Sequence, residues 1–82
     1  NLKGGEITMK EKMIEYFNKE YEETVKLFAN KPFWLNPKES IMNTAHRCLG
    51  VAMFIQTVDP SLSFEEVNIE YEKLRKKLEN LL

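Results

Sequence analysis

Apolar side chains recur every three or four residues in three separate stretches of this chain, and polar side chains fill most positions between them. That spacing places the apolar residues on one face of an α-helix. The first stretch predicts a helix over residues 9–29, with an apolar face made of Met13, Ile14, Phe17, Tyr21 and Phe28, flanked by Tyr16, Val25 and Leu27. Pro32 ends this helix, because proline cannot continue the hydrogen-bond ladder and the residue before it avoids the helical region.

The second helix, predicted over residues 37–57, has a well-specified start. Asn36 is the N-cap, Pro37 occupies the first helical position, and Glu39 follows three residues after the cap. After Glu39, Arg47 is the only charged side chain of this helix, which indicates that it is the most enclosed of the three. Its main apolar face, here called the seam, consists of Ile41, Ala45, Cys48, Ala52 and Ile55.

A second apolar stripe on the same helix is separate from the seam. Val51, Phe54 and Val58 form this stripe, and one neighbouring helix cannot cover both faces. Gly50 lies within the same helix, where glycine costs about 1 kcal/mol relative to alanine. We therefore expect another backbone to approach closely at Gly50.

The third helix, predicted over residues 63–81, follows a break at Asp59 and Pro60. Ser63 and Glu66 have the spacing of a capping box, in which each side chain satisfies a backbone N–H near the other residue. The apolar positions follow strict alternating steps of three and four, at Phe64, Val67, Tyr71, Leu74, Leu78 and Leu81. Acidic residues precede basic ones along this helix, which suits the helix dipole.

Helices of similar length with short connections favour antiparallel neighbours. The fold class is therefore all-α, and the architecture is an up-down-up antiparallel three-helix bundle that forms one domain over residues 9–82. The strict face of the third helix and the second stripe of the second exceed the apolar surface that one small bundle can hide. We expect a symmetric homodimer to hide the excess.

Residues 1–8 form an N-terminal tail with two interpretations. The codons for residues 3–6 can spell a purine-rich ribosome-binding stretch ahead of an ATG, so that translation starts naturally at Met9. Alternatively, Thr8 caps the first helix, because Thr8 and Glu11 have capping-box spacing. Both interpretations stay open.

Composition narrows the class of protein. Hydrophobic residues make up 43% of the 82 residues and charged ones 30%, which is typical of a globular domain. The net charge of -1 argues against general nucleic-acid binding. The longest apolar run, residues 48–55, is too short for a membrane span. No secretory signal pattern opens the chain, so we expect a cytoplasmic location.

We expect no catalytic site, no cofactor and no metal centre. His46 and Cys48 are the residue types of an activated thiol, but two positions along a helix place them about 200° apart. Cys48 lies on the seam, where a buried and unreactive thiol is the usual outcome. His46 is expected to be a satisfied histidine at the edge of the core. The single cysteine also excludes an internal disulfide and a cysteine-only metal site.

The connection between the first two helices is unusually apolar, since Phe33, Trp34 and Leu35 stand between two prolines. Two interpretations apply. In the favoured one, Trp34 folds over the open end of the bundle and fills its core. In the other, the connection is an exposed aromatic anchor for a protein interface.

The leading functional hypothesis is a self-associating protein-interaction module whose partner is a second copy or another protein. Its candidate contacts are Phe33, Trp34, Val51, Phe54 and Val58. An alternative is a small nucleic-acid-associated regulator with candidate contacts Arg75, Lys76 and Lys77, although the dipole explains these residues more simply. A third hypothesis is an apolar small-ligand site among Met42, Met53, Phe54 and Trp34.

A resemblance to other proteins rests on the amphipathic first helix and on two segments, Phe33-Trp34-Leu35-Asn36-Pro37 and Ala45-His46-Arg47-Cys48-Leu49-Gly50-Val51-Ala52-Met53-Phe54. The chain resembles short uncharacterised all-helical proteins of low-GC Gram-positive bacteria over most of residues 9–81. The resemblance implies a self-contained bacterial helical domain and transfers no activity, cofactor or site residue.

Overall fold

A computed structural model describes residues 7–82 of the chain. These residues form three α-helices and no strand: α1 (Met9–Asn30), α2 (Pro37–Val58) and α3 (Phe64–Glu79). The bounds lie within one residue of the predicted ones, except that α3 ends two residues early. Most of the predicted N-terminal tail, residues 1–6, lies outside the described residues.

Capping boxes start α1 and α3. The backbone N–H of Thr8 donates to Glu11 Oε1 at 2.9 Å, and the N–H of Glu11 donates to Thr8 Oγ1 at 3.1 Å. The same reciprocal pair joins Ser63 and Glu66, at 3.1 Å in both directions. Each box satisfies donors that the first turn of a helix leaves without partners.

The connection between α1 and α2 is fixed at both ends. Lys31 ends α1 in the left-handed conformation, with φ of 47°, and its N–H donates to the carbonyl of Leu27. Asn36 then caps α2 as predicted, with its Oδ1 accepting from the N–H of Glu39, and Pro37 is the first residue of the helix.

The core lies between the three helices, and every pair of helices packs together. The buried apolar residues are Met13, Phe17, Ile41, Ala45, Cys48, Ala52, Leu62, Val67, Leu74 and Leu78. The α2 seam is confirmed, with four of its residues buried and Ile55 half-buried. The enclosure predicted for α2 therefore holds for one of its faces.

Side-chain contacts between α1 and α2 run in opposite order along the two helices. Thr24 Oγ1 lies 3.3 Å from Thr44 Oγ1, and Glu20 Oε1 accepts from Arg47 at 2.7 Å. The contacts between α1 and α3 run in the same order along both, from an ion pair between Lys10 and Glu66 to Lys77 over the ring of Tyr21.

One position of the predicted α3 face is wrong. Phe64 is exposed, although its spacing placed it in the core. Leu62, in the preceding connection, is buried in the core cluster at this end of the helix instead. The side chain just before the cap therefore takes the place expected for the first side chain of the helix.

Candidate functional site

The surface of α2 that faces away from the core is apolar. Phe54 is 68% exposed and Val58, one turn later, is 60% exposed, whereas Val51 at the edge of this surface is half-buried. Phe54 comes two residues after the buried Ala52, and that step turns the side chain about 200° around the helix axis. We call this surface, made of Gly50, Val51, Phe54 and Val58, the α2 outer face.

The close approach expected at Gly50 is absent within the described residues. Gly50 is exposed, and a Cβ atom built on it would meet nothing within 4 Å. No other helix of the same chain makes this approach, because Gly50 lies on the outer face of α2 and not between α2 and its neighbours. The packing of this chain therefore gives no reason for glycine at this position.

The aromatic connection does not fill the end of the bundle. Phe33 is fully exposed and Trp34 is 64% exposed, so the favoured interpretation of Trp34 as a core plug is wrong. The physical reason is a tight turn in which the N–H of Leu35 donates to the carbonyl of Pro32 at 3.0 Å. The turn places Phe33 and Trp34 at its tip, while Pro32 and Leu35 are half-buried.

An open cavity lies at the end of the bundle that Trp34 was expected to close. Its volume is about 720 Å³. It is lined by Phe28, Lys31, Pro32, Leu35, Asn36, Pro37, Lys38, Leu81 and Leu82. The end of α1, the start of α2 and the residues after α3 therefore surround one mostly apolar space.

A polar cluster between α1 and α2 was missed by sequence reasoning. The Nε and Nη2 atoms of Arg47 both donate to Glu20 Oε1, at 3.0 and 2.7 Å. These bonds raise the pKa of Arg47, and burial is the main cause that raises the pKa of the neighbouring Tyr16. The available signal was Arg47 as the only charged side chain of α2 after Glu39, because a charge in an enclosed stretch of helix needs a partner.

The geometry keeps His46 and Cys48 apart, as predicted. Cys48 is completely buried, and burial raises the pKa of its thiol to about 11. His46 is exposed on the other side of α2. The prediction that it is a satisfied histidine at the edge of the core is therefore wrong. A thiol held protonated and away from solvent is a poor nucleophile.

The basic end of α3 is largely engaged within the chain. Arg75 forms ion pairs with Glu79 at 3.1 Å and Glu72 at 3.6 Å, and the ammonium of Lys77 lies 4.3 Å from the centre of the Tyr21 ring. The third candidate, Lys76, is exposed. Carboxylates beside Arg75 weaken the attraction of this end of the helix for phosphate.

The residues of the apolar-ligand hypothesis occupy different surroundings. Met42 borders a cavity of about 400 Å³ that Tyr71 and Arg75 of α3 also line. Met53 is half-buried, and Phe54 projects from the α2 outer face. Trp34 belongs to the exposed turn before α2.

The part of the chain from residue 7 onward contains no group of three or more His, Cys, Asp or Glu side chains that could hold a metal ion. Within that same part, no helix has the length and apolar character needed to cross a membrane. The chain matches no protein-family model, no curated protein and no solved structure.

Proposed function

We propose that this chain is an up-down-up three-helix bundle that forms a homodimer in the cytoplasm and acts as a protein-interaction module without catalysis. The order of contacts supports the topology, since α2 runs against α1 and α3 runs with it. The burial of Cys48, away from the exposed His46, supports a role outside catalysis.

The observation that carries the proposal is the exposure of Phe54 and Val58 side by side on the α2 outer face. Burying a side chain of this size stabilises a complex by about 1.5–3 kcal/mol before the costs of association. In a symmetric dimer each such contact occurs twice, because the same surface is used on both copies. A face of this kind therefore favours a second copy as its cover.

Gly50 and Arg47 give the proposed dimer a specific geometry. A glycine with open space above it allows the backbone of a second helix to come close. If two α2 helices cross antiparallel at Gly50, the ring of Phe54 comes near Arg47 of the partner subunit, because these residues lie one turn to either side. Arg47 is already held by Glu20, and a guanidinium over an aromatic ring is favourable.

Sedimentation equilibrium of the wild type and two variants tests the proposal. The wild type is expected to show twice the chain mass of 9.7 kDa at micromolar concentrations, and Phe54→Glu the mass of one chain. Ile69→Glu is the matched control, because Ile69 is a similarly exposed apolar residue on α3. A wild type that sediments as one chain, or a control that dissociates as fully as Phe54→Glu, would overturn the proposal.

The aromatic turn is the second apolar surface, and we propose that it contacts the partner protein through Phe33 and Trp34. Both side chains are exposed at the tip of a hydrogen-bonded turn, which presents them with little freedom to fold back. Aromatic anchors of this type contribute strongly to interfaces. If the turn is part of the homodimer contact, Trp34→Ser should weaken dimerisation at least tenfold. If dimerisation is unchanged, the turn contacts a protein other than a second copy of this chain.

A further inference from the structure

The open cavity at the end of the bundle has the size and lining of a ligand site. Its volume of about 720 Å³ falls within the range of small-molecule pockets, roughly 300–1,000 Å³. Phe28, Leu35 and Leu81 are half-buried in its wall, so each offers apolar surface to the space without being fully covered by the fold. The walls therefore favour an apolar ligand.

Two lysines line this cavity. Lys31 and Lys38 both line it and are exposed, and the ion pairs of the described residues involve neither of them. The cavity lies between the start of α2 and the ends of α1 and α3, so the helix dipoles add no net positive charge and the charge of the rim comes from the two lysines. An anionic group is the natural complement of this rim.

We propose that the cavity binds a single-chain apolar carboxylate, a molecule with one alkyl chain and one carboxylate group. The alkyl chain lies against Phe28, Leu35 and Leu81, and the carboxylate is held by Lys31 and Lys38. The site is at the end of the bundle, whereas the α2 outer face runs along its side. Binding is therefore separate from contacts made through the α2 outer face.

Titration with decanoate tests the proposal in the full chain. Trp34, the only tryptophan, precedes Leu35 in the turn that borders the cavity, so its fluorescence reports on occupation of the site. Saturable fluorescence changes are expected, together with amide chemical-shift changes confined to Phe28, residues 31–38 and Leu81. The titration is repeated in Phe54→Glu, so that loss of dimerisation and loss of ligand binding are distinguished.

The charge requirement is tested with a double variant and an uncharged probe. Lys31→Asn with Lys38→Gln is expected to weaken decanoate binding about three- to tenfold, and asparagine suits the left-handed conformation at position 31. The control Lys12→Gln, at the other end of α1, leaves binding unchanged. Decanol should bind the wild type about as weakly as decanoate binds the double variant.

Three results would overturn the proposal. The first is the absence of saturable binding by decanoate in both the wild type and Phe54→Glu. The second is a set of chemical-shift changes centred on the α2 outer face. The third is equal binding of decanol and decanoate that the double variant leaves unaltered, because the lysines would then have no role.

Discussion

Cys48 shows how completely the environment of one residue can suppress its chemistry. The thiol is fully buried on the α2 seam, and burial raises its pKa to about 11 from an ordinary value of 9.0. A charged thiolate loses its hydration inside an apolar core, so the protonated form is favoured. The same residue in an exposed position near a base would have been a candidate nucleophile.

This shift predicts a loss of stability at high pH. The thiol is protonated in both states below pH 9, but between about pH 9 and 11 the unfolded chain releases the proton while the folded chain keeps it. The free energy of unfolding should therefore fall as pH rises through this window, by about 2–3 kcal/mol in total. Urea denaturation at a series of pH values measures it.

Cys48→Ala is the control for that measurement, because other groups also titrate at high pH. The variant is expected to be less stable than the wild type near neutral pH, since it leaves a small cavity. Its free energy of unfolding should nevertheless fall less steeply above pH 9 than that of the wild type. Parallel pH profiles for the two proteins would contradict the assignment of the effect to the thiol.

Gly50 leads to a prediction with opposite signs for folding and association. Gly50→Ala is expected to stabilise the monomer by about 1 kcal/mol, because alanine favours the helix and its Cβ meets open space. Urea denaturation in the monomeric Phe54→Glu background measures this gain. In the wild-type background the same change should weaken dimerisation, because the added methyl group separates the crossing helices. A destabilised monomer would contradict the structure at this position.

For single residues, helical spacing identified the buried positions more accurately than the exposed ones. The seam position of Cys48 followed from helical spacing, because the core needs a continuous apolar face. The exposure of Trp34 depended on a turn between Pro32 and Leu35, whose geometry no periodicity describes. The favoured interpretation failed there because it assumed that a large aromatic side chain must find a cover within its own chain.

The interface between α1 and α2 contains two linked hydrogen bonds, one part-buried and one buried. Thr24 Oγ1 donates to the carbonyl of Glu20 at 2.9 Å and lies 3.3 Å from Thr44 Oγ1. Thr24 has only one hydroxyl hydrogen, so Thr44 must be the donor of the second bond. The two threonines are therefore unequal, although they form one contact.

This inequality predicts different costs for two similar substitutions. Thr24→Val leaves the buried hydroxyl of Thr44 without its partner and should lower the free energy of unfolding by about 1–3 kcal/mol. Thr44→Val leaves the bond from Thr24 to Glu20 intact and should cost less. The double variant should cost less than the sum of both. Equal costs in urea denaturation, or strict additivity, would contradict this arrangement.

The start of α3 is set by its capping box. Ser63→Ala removes the acceptor for the N–H of Glu66 and should lower the free energy of unfolding by about 1 kcal/mol. Ser61→Ala is the control, because the exposed Ser61 hydroxyl bonds only to Asp59 in the preceding connection. Thermal denaturation compares the two variants. A larger loss for Ser61→Ala would show that the connection, and not the cap, fixes the helix start.

Helix starts were predictable because N-terminal caps are local. Asn36, Ser63 and Glu66 lie within three residues of the groups they satisfy, so their spacing alone carries the information. The bond between Arg47 and Glu20 joins residues 27 positions apart, and its partner depends on how two helices face each other. Such a pairing cannot be assigned from spacing within either helix.

For the whole molecule, the important result is the location of apolar surface that the fold leaves open. The sequence indicated that α2 has two apolar sides, and the structure covers one of them. The other side, with Phe54 and Val58, faces away from the core. Its cover by a second copy could not be predicted, because helical spacing within one chain carries no information on contacts between chains.

An isotope-filtered NOE experiment on a dimer mixed from labelled and unlabelled chains detects only contacts between the two copies, and it therefore tests the proposed dimer at the level of single residues. NOEs are expected from the ring of Phe54 to protons of Arg47 and Gly50 in the partner subunit. The absence of intermolecular NOEs at millimolar concentration, or NOEs confined to α3, would contradict the proposed dimer.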